Sequence, residues 1–387
     1  MAVTVTTRES WISRLGNAFK GILVGIVLFV IGFPVLFWNE GNSVRTAKAL
    51  AEGEGACIPL ESVEKIDPDY EGKLVHAIGK ADTGDILADG DFGLSETAIR
   101  LERKVEMFQW DEDSSTTEKK NLGGSVTKTT TYTYGKVWSD SLIDSSDFHE
   151  AGHDNPGSME YGAVEREAQN VRFGAFRLNE RQISRIGREQ DLELGADYAC
   201  QLPFAQRRGN SICIPNAASR KSEGTNVHDV VSNPQIGDMR VSFTVVRPHV
   251  VSIVSKQRGD TFTAYVAKNG KKVDMLSDGE KDAAEMFAAA KRGNAVMTWF
   301  VRLGGFLLML IGLSMVLKPL SVVGDVVPFI GTIIGMGTGL VAGVVALACA
   351  LATIAVAWIF YRPALGVVLL AAAAALVWWL WRKKRQA

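Results

Sequence analysis

His149-Glu150-Ala151-Gly152-His153 has the H-E-x-x-H spacing of zinc proteases. On a helix the two imidazoles at i and i+4 would share a face and bind Zn²⁺, with Glu150 as the base that polarises the attacking water. The flanks oppose a helix. Asp144-Ser145-Ser146-Asp147 reads as a turn or N-cap, and Asn155-Pro156-Gly157 stops any helix after about one turn. A third ligand would be Glu160, Glu165 or Glu167, none of them at a recognisable spacing. A membrane-tethered zinc hydrolase is therefore the alternative reading and not the first. His76 and His249 sit inside strand-like stretches, where a half-buried histidine is the commoner outcome. No Gly-x-Ser-x-Gly, phosphate-binding loop or dinucleotide fingerprint occurs, so no catalytic residue, metal or cofactor is expected.

A second pattern lies in the apolar C-terminal part. Gly331, Gly335, Gly339 and Gly343 recur every fourth residue, which on a helix makes one smooth ridge that another backbone can approach closely. This is the expected helix-packing site, either within the chain, with Gly21 and Gly25 as the facing groove, or between copies. The apolar runs contain no paired charges to line a water-filled path.

Hydropathy and charge set the elements that position these residues. With 47% hydrophobic and 22% charged residues, the chain is neither disordered nor collagen-like. All but two of the 43 acids, Glu9 and Asp325, fall between residues 39 and 299, whereas ten of the 42 bases fall outside. The middle is thus about nine charges negative and the flanks eight positive, so the middle offers no basic face for nucleic acid.

Residues 21–39 are uncharged, enough helix to cross about 30 Å of hydrocarbon. Phe37-Trp38-Asn39-Glu40 offers no signal-cleavage site, so the run is read as an anchor. Residues 299–317 make a second span, with Arg302 snorkelling toward the headgroups. Residues 326–361 are uncharged, too long for one upright helix and short for two; a third span over 329–360 with an oblique approach fits. Residues 363–381 make a fourth, closed by Trp378, Trp379, Trp381 and Arg382-Lys383-Lys384-Arg385. Four spans put both termini on one side, and the basic flanks put that side in the cytoplasm. The tail at 1–20, a short loop at 318–328 and the basic tail at 382–387 are then cytoplasmic, and 40–298 is a large extracytoplasmic or lumenal domain.

That domain reads as α+β, mostly antiparallel β. Residues 73–79, 98–110 and 129–138 are strand-like, with the polar run 111–128 as a long hairpin tip; 237–246, 249–257 and 261–267 read as a β-meander. Asp282 is placed to cap a helix leading into the second span. Glu71-Gly72-Lys73-Leu74-Val75-His76 and Ile236-Gly237-Asp238-Met239-Arg240-Val241 each open a sheet after a glycine, which points to a duplicated small barrel. Cys200 and Cys213 would close a 14-residue loop in an oxidising compartment.

Nearly the whole chain resembles the transmembrane protein 43 family, also called LUMA. The likeness is carried by Trp38-Asn39-Glu40-Gly41, Ala49-Leu50-Ala51-Glu52-Gly53, Glu71 to His76, Val105-Glu106-Met107-Phe108-Gln109-Trp110, Gly152-His153-x-Asn155-Pro156, Gly237 to Phe243, Gln257-Arg258-Gly259-Asp260 and Phe360-Tyr361-Arg362-Pro363. The resemblance implies four spans with a large extracytoplasmic domain after the first. In animals it implies an endoplasmic reticulum and inner nuclear membrane protein that associates with itself and organises complexes with lamina-linked partners. The family pattern over 152–156 does not need a histidine at 149. The short tails and Ala/Gly-rich spans look prokaryotic, so a bacterial cytoplasmic membrane is expected, without lamina partners. The expected function is a multispan scaffold that organises membrane protein complexes and supports envelope or membrane integrity. Its expected partners are itself, other membrane proteins and lipid headgroups, not nucleic acid. A lipid- or stress-sensing membrane protein is the further alternative.

Overall fold

A computed structural model describes residues 2–195, 198, 200–223 and 228–363. From residue 364 on, the expected last span and basic tail lie outside the described residues. Among the described residues three helices are long and apolar enough to cross a membrane: α1 Trp11–Ala56, α2 Ala283–Gly324 and α3 Pro328–Tyr361. Ser10 starts α1, its Oγ accepting from the Ser13 N–H at 3.2 Å. Asp282 starts α2 as expected, in a capping box with Glu285.

All three helices outrun their expected limits. Nothing after Asn39 breaks α1, and its last turns are held by packing: Ala49 and Leu50 share a buried cluster with Leu74, Val254, Val273, Met286 and Phe287. α1 and α2 therefore run without a hinge from the apolar segments into the β-rich domain. α2 continues through Pro319 to Gly324, so the loop expected at 318–328 shrinks to a turn at 325–327. α3 is one unbroken helix of 34 residues, about 51 Å long at 1.5 Å per residue, so any oblique approach is made without a break in the helix. Pro328 sits in its first turn, where a missing N–H costs nothing.

The principal strands are β1 Ala2–Glu9, β2 Leu74–Thr83, β3 Arg100–Lys120, β4 Val126–Ser139, β5 Val171–Phe173, β6 Phe176–Arg177, β7 Ser211–Ile214, β8 Met239–Val246, β9 His249–Arg258 and β10 Thr261–Thr263. One sheet runs β1-β4-β3-β8-β7 and buries Leu101, Val105, Met107, Ile212, Val241 and Phe243. In the other, β2 pairs with β9 and β5, β5 with β6, β6 with β10, and β10 with β9. These five close into a small barrel filled by Val75, Ala77, Phe173, Phe176, Ile253 and Phe262.

The expected meander is split between the sheets. β8 pairs with β3 and β7, whereas β9 pairs with β2 and β10. The Arg247-Pro248 link ends one strand because proline has no N–H for a ladder, and it carries the chain across. Gly72 (φ 77°) and Gly237 (φ 88°) do precede the strands that open after them, β2 and β8, but these lie in different sheets. Cys200 and Cys213 are free thiols and do not form the anticipated bridge.

The run expected as a hairpin tip is strand to Lys120, and only residues 121–125 turn. β3 alternates inward and outward as far as Gln109, and beyond Trp110 its distal half is largely exposed on both faces. This polar arm reaches along the helices to their far end. β1 adds a third strand to it, in register from Ala2 opposite Thr133 to Glu9 opposite Val126. The charge pattern places residues 1–20 and 40–298 on opposite sides of a bilayer, and the register joins them in one sheet. An arm carrying Glu118, Lys119, Lys120 and Lys128 does not cross hydrocarbon, so the two placements are mutually exclusive.

Candidate functional site

Residues 149–152 form bends, with Gly152 at φ 94°, and His153 lies in irregular chain, not in the helix that zinc binding by H-E-x-x-H requires. Asn155 locks this segment to the base of the arm: its side chain accepts from the Trp110 N–H at 2.7 Å and donates to the Trp110 carbonyl at 2.9 Å. The two imidazoles lie on separate tyrosines of β4. His149 stacks on Tyr132 (centroids 4.3 Å apart), and His153 stacks on Tyr134 (3.9 Å) with its edge against Trp110 (4.6 Å). Glu160 is paired with Arg220, and Glu165 and Glu167 with Arg100, so the candidate third ligands are engaged elsewhere. Among the described residues no group of three or more His, Cys, Asp or Glu side chains could hold a metal ion. His149, Glu150 and His153 are brought close to the arm, but as a packed joint.

The joint turns on Glu112, whose carboxylate accepts from the Tyr134 hydroxyl and the His149 N–H, both at 2.6 Å. The Tyr134 hydroxyl holds the Glu112 carboxyl below its ordinary range. Burial, reinforced by Glu112, pushes the Tyr134 phenol up to about 12, so at neutral pH it remains a donor. A carboxyl whose pKa is lowered on folding stabilises the fold above its unfolded pKa, and that contribution is lost as pH falls through the folded value. Protection from hydrogen exchange at the Trp110 and Glu150 amides, taken relative to the intrinsic rate at each pH, should therefore fall on acidification below about pH 4.5. Glu112→Gln should exchange faster at neutral pH and lose that acid-dependent step; an unchanged step would assign it to another group.

His76 and His249 lie in β2 and β9 as expected. His76 Nε2 is 2.8 Å from the Lys281 carbonyl oxygen, and His249 Nε2 is 2.9 Å from Asp278 Oδ1.

The second cluster ties the three helices together. Glu40 of α1 is fully buried; it accepts from Arg302 of α2 at 2.6 and 2.9 Å and from the Trp358 indole of α3 at 2.8 Å. Arg302 therefore does not snorkel free: its side chain is 14% exposed, paired with Glu40, and lies over the Trp299 ring. At the other end of the bundle, Asp325 is buried and bound by Arg14 of α1 and Lys120 of the arm. Its backbone N–H closes the end of α2, and Gly123 of the arm donates to the Val326 carbonyl. These two carboxylates were missed by pattern reasoning; the signal for Asp325 was its isolation in a basic flank.

Glycines set the helix spacing. α1 and α2 run antiparallel, and a Cβ on Gly25 would come within 2.6 Å of the Gly312 carbonyl, one on Gly312 within 2.5 Å of the Gly25 carbonyl. Gly25 thus faces α2 and not the ridge of α3. Along that ridge Gly331 lies against Asp325 and Gly335 against Ser321. Among the described residues a Cβ on Gly339 would meet nothing within 4 Å, and one on Gly343 only Leu310 at 4.0 Å.

Apolar helices locked to one another by buried polar groups, and continuous with a large two-sheet domain, define a membrane protein that carries its β-rich part on its own helices. A family model described as transmembrane protein 43 matches residues 107–363. The chain is 32% identical over 372 residues to transmembrane protein 43 of Rattus norvegicus and 31% identical to that of Homo sapiens, covering 93% of this chain and 89% of each relative. It is 30% identical to the Drosophila melanogaster transmembrane protein 43 homolog, over 93% of this chain and 94% of that protein. The chain belongs to the transmembrane protein 43 family. No solved structure matches it.

Proposed function

We propose that this chain is a non-enzymatic membrane scaffold that organises membrane protein complexes and supports envelope or membrane integrity. The observation that carries this reading is the hingeless passage of α1 and α2 into the domain, through the cluster of Ala49, Leu50, Met286 and Phe287 with Leu74, Val254 and Val273. Load on the bundle is passed to the domain as a rigid body, which suits a scaffold. Partners are other membrane proteins and further copies of the chain. The open stretch of the ridge at Gly339 and Gly343 supports self-association. The basic flanks support cytoplasmic termini in a bacterial cytoplasmic membrane, whereas the pairing of β1 with β4 opposes that placement for residues 2–9.

Gly339→Leu tests the self-association. A Cβ there meets no described neighbour within 4 Å, so the variant should insert and melt close to the parent while chemically cross-linked oligomers fall about tenfold. Gly335 is a poorer probe because its added Cβ would press on Ser321 at 3.0 Å. Oligomers that persist in Gly339→Leu would remove the ridge from the interface.

A further inference from the structure

Where α1, α2 and the end of α3 meet, a cleft of about 310 Å³ opens beside Glu40 and Arg302. Three cations line it: Lys291, Arg302 and Arg362. Lys291 is paired with Glu54 and Arg302 with Glu40. Arg362 has no acidic partner among the described residues; its guanidinium lies 5.8 Å from the centre of the Trp358 ring. The cleft therefore holds one positive charge in excess of its acids. Its level in the bundle is marked by Trp299 and Trp358, the residue type that settles at the boundary between headgroups and hydrocarbon.

The cleft continues into an apolar groove. Ala295 and Trp299 line both, and the groove, about 470 Å³, runs on past Val296, Phe300 and Leu303 into the apolar part of α2. Val296, Trp299, Phe300 and Leu303 are each more than half exposed, so this face has no cover from the described residues. A cationic end joined to an apolar trough along one helix has the shape and polarity of an amphiphile with one negative head.

We propose that this composite site binds one anionic phospholipid, its phosphate ester held by Arg362 and an acyl chain laid along the groove of α2. The single uncompensated charge favours a singly anionic headgroup over a zwitterionic one, whose ammonium would find Glu40 and Glu54 already paired with Arg302 and Lys291. The inference does not rest on the scaffold reading.

The test is native mass spectrometry of the full chain purified in mild detergent and exchanged into mixed micelles of phosphatidylglycerol and phosphatidylcholine, or into buffer with inorganic phosphate. The parent should retain one phosphatidylglycerol per chain in preference to phosphatidylcholine. Arg362→Gln should lower that retention about tenfold, the loss of one charged hydrogen-bond partner, and Arg362→Lys should keep most of it. Inorganic phosphate should not displace the lipid. Equal retention of the two lipids, retention unchanged in Arg362→Gln, equal loss in the Gln and Lys variants, or displacement by phosphate alone would each overturn the proposal.

Discussion

Glu40→Ala is expected to cost about 3–5 kcal/mol, the penalty of leaving a buried guanidinium without its partner. Among the described residues Glu40 contributes the only carboxylate that Arg302 touches, and it also takes the Trp358 indole, so one substitution unpairs two side chains on two helices. Thermal melting in detergent would show it. The double variant Glu40→Leu/Arg302→Leu should recover most of the loss, because removing both partners leaves no stranded charge, and well-packed apolar replacements are often neutral. A Glu40→Ala protein that melts within about 1 kcal/mol of the parent would mean that water reaches Arg302 and that the cluster does not hold the bundle. Failure of the double variant alone would point to packing around Trp358.

The second large effect is all-or-none. Thr4 and Thr131 face each other in the ladder between β1 and β4, with their hydroxyls 3.5 Å apart. With Cys57, Cys200, Cys213 and Cys349 replaced by alanine, Thr4→Cys/Thr131→Cys should form a disulfide in native membranes under mild oxidation, while Thr4→Cys/Thr117→Cys should not. A bond would place the N-terminal strand and the arm on one side and end the assignment of residues 1–20 and 40–298 to opposite sides. A bond formed only after solubilisation would uphold the charge-based orientation and restrict the ladder to conditions without an intervening bilayer.

Local pattern was a good guide where a residue's neighbours in sequence decide its fate. The run 21–39, the cap at Asp282 and the strands 98–110 and 249–257 all reappear as elements, because hydropathy, capping chemistry and alternation act over a few residues. It failed where the partner is distant. Arg302 reads as a snorkelling residue until Glu40, 262 positions earlier, is placed beside it. The H-E-x-x-H match has the spacing of a zinc site but not its helix, and its histidines are claimed by Tyr132 and Tyr134 instead. The arm was misjudged for a related reason. Threonine-rich, charged sequence reads as loop when strands are assumed to bury a face, yet β1 and the hairpin partner supply its ladder without any core. Of the glycine ridge, the spacing was legible, but which glycines meet α2 depended on the length of the turn at Asp325.

The arm has one more consequence. From Met107 to Lys120 it measures about 43 Å at 3.3 Å per residue, fixed at its base through Asn155 and at its tip through Asp325. It is a strut of set length beside three helices that are fixed to the same domain. Helices longer than the hydrocarbon is thick lean over, and lean further as it thins. Because α1 and α2 enter that domain without a hinge, and the arm is tied to it at the base and to Asp325 at the tip, a change in helix tilt carries the arm with it.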